Sequence, residues 1–383
     1  MSRAAESPRV VHGAASWRLA SDCVEGFLTR EGGHLGPVFF NTDRGRIQPF
    51  ALSPWQPHEV DRHLPAVLRP LRGDFFCAPF GGNAAPFRGE RHPVHGETAG
   101  QTWRLVTREA TARHVSLSAR LTLRARPGRV TKRIVLRAGE PVVYQEHVIE
   151  DCAGPMCLGH HAMLAFPAAD GSGRIATSPF RFGRTVPRAF EDPARGGYSS
   201  LQPGAWFRSL RAVPIAAGGT ADLSRYPARA GFTDLVQLAG ARSRGPAWTA
   251  VTFGRERWLW FALRDPQLLT STLFWHSNGG RHYPPWNGRH RRILGLEDVT
   301  AYFDYGLAES ARPNDFSRRG IATTLPLRRD RPLRIPYVMG VLALPRGFDS
   351  VRSVRFMGDR AIFTAVSGRR VVQTLDRDFL FTP

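Results

Sequence analysis

Three stretches of this chain gather histidines and carboxylates among glycines, prolines and aromatic residues. HPVHGETAGQTW carries His95, Glu97 and Trp103, GHHAMLAFP carries His160 and His161, and WHSNGGRHYPPWNGRHRRILGLEDVTAYF carries Glu297 beside Asp298. An imidazole and a carboxylate brought together form a general acid and base pair, able to give one proton while taking another. The same side chains are zinc-ligand types, but no HxH, HExxH or CxxC spacing accompanies them, so no metal is expected. Glu97 with Glu297 would supply the two carboxylates of a glycoside hydrolase, a reading that leaves the histidines without a role.

Residues this far apart must be carried to one place by a scaffold, and the pattern between them is that of antiparallel strands. Helical periodicity is nearly absent. HVSLSARLTL (114–123), RVTKRIVLR (129–137) and VVYQEHVIED (142–151), joined by ARPG and AGEP, read as a three-strand meander. WTAVTF (248–253) and WLWFAL (258–263) read as a hairpin around GRER. Thirty prolines and 38 glycines punctuate such runs, as the turns of a strand-rich fold require. The expectation is an all-β protein built as a large antiparallel β-sandwich. No repeat or linker divides the chain, so one domain is expected over 1–383, with the strand-like segment from about 345 onward as a C-terminal strand extension packed on it.

The formal net charge of +21 raises nucleic acid as a partner, but its distribution argues otherwise. Arginines are scattered over the whole chain, Lys132 is the only lysine, and the densest run, Arg289 to Arg292, is short. No nucleic-acid partner is expected. The first residues lack the apolar run of a signal peptide, and no segment approaches the roughly 20 apolar residues that span a bilayer. A cytoplasmic protein with no membrane partner, monomer or homodimer, is expected, with its four cysteines reduced.

In motif order the sequence resembles the aldose 1-epimerase (galactose mutarotase) superfamily, over roughly residues 17–340. An early His-Gly precedes a Trp, here His95-Gly96 and Trp103; a second His follows the meander, here His161 in LGHHAMLAF; a late Glu follows a Trp-bearing strand ending in an Asn-Gly turn, here LFWHSNGG leading to Glu297 in LGLED. The opening WRLASDCVEGFLTREGGHLGPVFF is similar to the family's first hairpin. The resemblance implies a galactose mutarotase-like supersandwich that works without metal or cofactor. It implies Glu297 as base, His161 as acid and His95 bonded to the ring oxygen or a neighbouring hydroxyl, all in one cleft, with His161 and Glu297 about a sugar ring apart. The chain departs from the pattern at Ala99, where the family places an arginine, and at His160, where it commonly has asparagine. Asn83 with Arg72 or Arg88 is the available substitute for that arginine.

The substrate is then a small sugar or sugar derivative, and the arginine excess leaves an anionic one open. Sugar C–H faces pack on aromatic rings, which makes Trp103, Trp275, Trp286 and Phe80 candidates for contact, although Trp in a β-sandwich is more often core. Asn83, Arg72, His160 and Arg281 complete the binding candidates, with turns, salt bridges and the far face of a strand as their structural alternatives. On a regular strand Asp298 points away from Glu297. The expected activity is that of an isomerase interconverting sugar anomers. The alternatives are a non-catalytic sugar-binding protein on the same fold, or an enzyme related to polysaccharide lyases and glycoside hydrolases.

Overall fold

A computed structural model describes residues 7–382, and nearly all of its regular structure is antiparallel sheet. The meander is formed as 114–123, 128–137 and 142–150 in consecutive registered pairs, and the hairpin as 247–253 against 258–264. These strands belong to a nine-stranded sheet in which Leu333–Ala343 joins the hairpin to the meander. An eight-stranded sheet faces it, with the strands Phe232–Gly240, Ser271–Asn278 and Ile293–Thr300 side by side at its centre.

Alternation along these strands sorts side chains into two environments. Val236, Phe274, Leu294 and Leu296 enter the core between the sheets, together with Trp260, Ile335 and Tyr337 from the facing sheet. Leu235, Leu273, Trp275 and Ile293 turn outward and pack under the loop segments that carry Trp55, Val67, Phe80, Trp286 and Phe316. The outer face of the eight-stranded sheet is therefore roofed by connecting segments, and a cleft opens in that roof.

The C-terminal strands form a separate three-stranded sheet, 351–357, 360–365 and 370–374, laid on the outer face of the nine-stranded sheet. They do not extend the edge of a sheet. Phe363 packs on Phe261 with ring centroids 5.0 Å apart, and Ala361, Ala365 and Leu375 are buried with it. That face of the sheet is apolar, with Trp248, Leu259 and Val338 on it, and needs such a cover. Among the described residues no helix is long and apolar enough to cross a membrane.

Candidate active site

His161 and Glu297 meet because of strand register. Gly159 stands opposite Val299 and Ala162 opposite Leu296, so His161 falls directly across from Glu297, and His160 across from Asp298. Adjacent residues point to opposite faces. One pair faces the cleft and the other the interior.

The cleft-facing pair is in contact, with His161 Nε2 3.2 Å from Glu297 Oε1. The expectation of a sugar-ring separation is thus corrected: directly opposed cross-strand residues lie too close for a ring to stand between them. Gly295, two residues before Glu297 on the same face, leaves the carboxylate its place, since a Cβ there would stand 2.6 Å from Glu297 Oε1. The imidazole is fixed by stacking on Phe75, with centroids 4.5 Å apart, while His34 stacks on Phe75 at 4.2 Å. The His161 amide donates to the Phe75 carbonyl at 2.9 Å.

His95 arrives on a tight turn rather than a strand. Its φ is +57°, a left-handed conformation uncommon outside glycine. Gly96 follows at φ +76°, and a Cβ there would lie 2.2 Å from the Ala78 carbonyl oxygen. Close approach of two backbones thus explains the His-Gly order. The Gly81 amide donates to His95 Nδ1 at 3.4 Å, which leaves the ring proton on Nε2. The His95 ring packs edge-on to His161 at 5.1 Å.

Electrostatics favour neutral forms in the cleft. Burial pushes the Glu297 carboxyl well above the usual range, and Asp304 adds to this while Arg281 opposes it. Burial, with His95 next to it, holds His161 well below the usual imidazole range. His95 is pushed down to about 4 by burial and the Arg281 cation. Two touching groups that each resist charge share a single proton, either as carboxylic acid and imidazole or as carboxylate and imidazolium.

Arg281 and Trp275 line the same cleft as His95, His161 and Glu297. The Arg281 guanidinium lies over Trp286 at 4.7 Å and Trp275 at 5.4 Å, and its Nε donates to Glu191 at 2.7 Å. The cavity holds about 310 Å3, at the lower end of the roughly 300–1,000 Å3 typical of small-molecule sites. That suits one ring rather than an oligosaccharide.

Four of the residues expected to bind substrate lie elsewhere. Arg72 is fully buried and donates to the carbonyls of Pro70, Val11 and His12, anchoring the first strand. Asn83 donates to the Pro79, Gly81 and Pro93 carbonyls and accepts from the Leu307 amide, so both ends of its amide are occupied in holding loops together. Trp103 is core, with its indole N–H on the Thr98 carbonyl. His160 turns into the interior, where Nδ1 lies 2.9 Å from Asp74 and its ring stacks on Tyr337. Behind Asp298 the interior supplies Arg264, the Thr272 hydroxyl at 2.7 Å and the Tyr337 hydroxyl at 2.9 Å.

Glu97 does not pair with Glu297, because its carboxylate accepts the backbone amides of Arg124 and Ala125. The second carboxylate on the cleft is Asp304, whose Oδ2 accepts from Arg188 at 2.9 Å. Nothing in its FDYG context marks it beforehand; it reaches the cleft because its loop pairs with Gly82, whose amide donates to the Asp304 carbonyl. Leu64, Val67, Leu68 and Leu71, which make one wall, were also invisible as site residues. Among the described residues no cluster of metal-ligating side chains is found.

No protein-family profile matches this chain, and no curated protein sequence does. Solved structures do. A galactose mutarotase-like protein from Clostridium acetobutylicum superposes with a TM-score of 0.57 at 9% identity, covering 88% of this chain and 98% of that one. A galactose mutarotase related enzyme from Lactobacillus acidophilus gives 0.53 at 10% identity, with 86% and 97% covered. A GalM/aldose epimerase homologue from C. elegans gives 0.52 at 13% identity, with 87% and 100% covered. The fold is that of the galactose mutarotase-like proteins.

Proposed function

We propose that this protein is an aldose 1-epimerase-like isomerase, opening and reclosing the ring of a small sugar hemiacetal with Glu297 as base and His161 as acid. The observation that carries this reading is the 3.2 Å contact of an imidazole with a carboxylate at the bottom of a ring-sized cleft. The hydroxyl oxygen and the ring oxygen of a hemiacetal sit on the same carbon, closer together than a hydrogen-bond length. An acid and a base in mutual contact therefore reach both at once, without standing on opposite sides of the ring.

In the active form Glu297 is the carboxylate and His161 the imidazolium. Glu297 takes the proton of the anomeric hydroxyl as His161 gives its proton to the ring oxygen, and the bond from C1 to that oxygen breaks to leave an open-chain aldehyde. After rotation about C1–C2 the new hydroxyl adds to the other face of the carbonyl. His161 recovers its proton, Glu297 returns the other, and no electron acceptor or metal takes part. His95, with its proton on Nε2 and its pKa near 4, stays neutral and donates to an oxygen of the substrate. Trp275 and Trp286 offer faces for the sugar's C–H side.

The test is polarimetry on freshly dissolved α-glucose, α-galactose and 6-deoxy-D-galactose, under conditions of slow spontaneous exchange. Wild type should accelerate mutarotation, and Glu297→Gln and His161→Ala should each lose it. Absence of acceleration on every sugar, with saturable binding retained, would favour a sugar-binding protein instead.

A further inference from the structure

The hydrogen-bonding capacity of the cleft is small once its internal bonds are subtracted. The Tyr283 hydroxyl and Arg281 Nε are both spent on Glu191, and Asp304 Oδ2 on Arg188. Trp275 Nε1 and Asp304 Oδ1 have no partner but also no accessible surface. Beyond the acid and base pair, what remains open is the Nε2–H of His95, the terminal nitrogens of Arg281 and the indole N–H of Trp286. A hexopyranose brings four hydroxyls besides the anomeric one.

The rest of the surface is apolar, with the rings of Phe75, Phe190, Trp275 and Trp286 over one part of it and aliphatic branches over another. Residues 64–71 lay Leu64, Val67, Leu68 and Leu71 along one wall. Aliphatic branches cannot meet a hydroxyl, and a hydroxyl buried without a partner loses its hydration for nothing. Beyond this wall a second cavity of about 710 Å3 adjoins the first and shares Leu64, Phe190, Tyr283 and Pro284 with it. A substituent too large for the inner space thus leaves it past Leu64, Phe190 and Pro284, toward a cavity that Asp61, Asp192 and Arg195 also line.

We infer that the substrate is a hemiacetal ring whose hydroxyls away from C1 are partly removed or capped by apolar groups, a deoxygenated or O-alkylated lactol, rather than a fully hydroxylated hexose. The inference rests on the reading of the site as an anomer-interconverting one. Unlike an anionic sugar, such a molecule makes no demand for a free cation, and Arg281 is already neutralised by Glu191.

The experiment compares matched pairs on the wild-type chain: 6-deoxy-D-galactose against D-galactose, and 2,3,4,6-tetra-O-methyl-D-glucose against D-glucose. Apolar pockets discriminate by about 10-fold to 200-fold per methylene, so kcat/KM should favour the less polar member of each pair by at least about 10-fold. Leu64→Asn and Leu68→Asn, which place amides on the wall, should move both ratios toward unity. Equal or better turnover of the parent hexoses would overturn the inference and leave the isomerase reading intact. If no sugar is turned over, the isomerase reading fails, and binding followed by tryptophan fluorescence decides the inference separately. Tighter binding of the deoxy and methylated members then upholds it, and equal or weaker binding overturns it.

Discussion

Gly295 and Glu297 sit two residues apart on one face of the strand Ile293–Thr300, and a Cβ on Gly295 would lie 2.6 Å from Glu297 Oε1 and 3.1 Å from Trp275 Cβ. Only a residue without a side chain leaves the carboxylate free to turn toward His161. Gly295→Ala should therefore displace the carboxylate without unfolding the sheet. A misplacement of about 1 Å costs on the order of 100-fold in rate, so kcat for mutarotation should fall by about that factor while the circular dichroism spectrum is unchanged. Wild-type kcat in the variant would mean that the position of Glu297 does not matter to the reaction.

Arg281 opposes the upward shift of the Glu297 carboxyl that burial imposes. Removing the cation in Arg281→Ala should raise that pKa further. Because the base must be deprotonated to act, the low-pH limb of kcat/KM should move to higher pH. A pH–rate profile for wild type and variant checks this; an unmoved limb would separate Glu297 from the titration that controls the rate.

Asp74 is expected to matter for stability rather than for catalysis. It is fully buried between the sheets, where Oδ2 accepts from Gln145 at 2.8 Å and lies 2.9 Å from His160 Nδ1. Although burial opposes it, His160, Lys132 and Gln145 hold this carboxyl below its ordinary value. Lys132, itself fully buried and pushed down to about 8, has the Gly33 carbonyl at 3.0 Å and the Asp74 charge to support it. Asp74→Asn removes a charge that supports that ammonium and an acceptor that the buried His160 and Gln145 side chains use, and leaving such a group without its partner costs about 1–3 kcal/mol. Urea unfolding should show a loss of that order, with KM unchanged in the protein that remains folded.

Acid should unfold the protein early. Burial pushes His34 and His290 down to about 3, and His95 to about 4, from 6.5. Above pH 6.5 these rings are neutral in both folded and unfolded chains. As pH falls from 6.5 toward 3–4 the unfolded chain takes up protons that the native state refuses, and stability is lost through that window. Three such protons correspond to about 4 kcal/mol per pH unit around pH 5. Glu297, whose folded pKa is raised from the ordinary 4.5, acts in the opposite sense and offsets part of this above about pH 4.5. Tm measured from pH 7.5 to pH 4.5 should be level at first and then drop steeply; a flat curve would count against neutral buried histidines.

Much of this site could be read from local pattern, because the pattern follows from geometry that any strand obeys. Alternation along LGLEDVT already separates Glu297 from Asp298, and alternation across His160-His161 requires one ring to face away from the other. The His-Gly pair likewise signals a backbone that must pass close to another, which it does at Ala78. Asn83, Arg72 and Trp103 misled for a common reason. Polar and aromatic side chains near a site motif look the same in sequence whether they hold a loop or a ligand, and in each case the partners are carbonyls distant in the chain or nearby in the same turn.

Period-two alternation alone specifies an all-β chain, the order of its chemically capable residues and the opposite faces of His160 and His161 and of Glu297 and Asp298. Tertiary structure decided the rest. Whether His161 meets Glu297 depends on the register between 158–165 and 293–300, which is set by the sum of long-range pairings across the sheet. That register put the two groups in contact instead of a ring's width apart, and the packing of residues 64–71 over them made the wall of the cleft aliphatic.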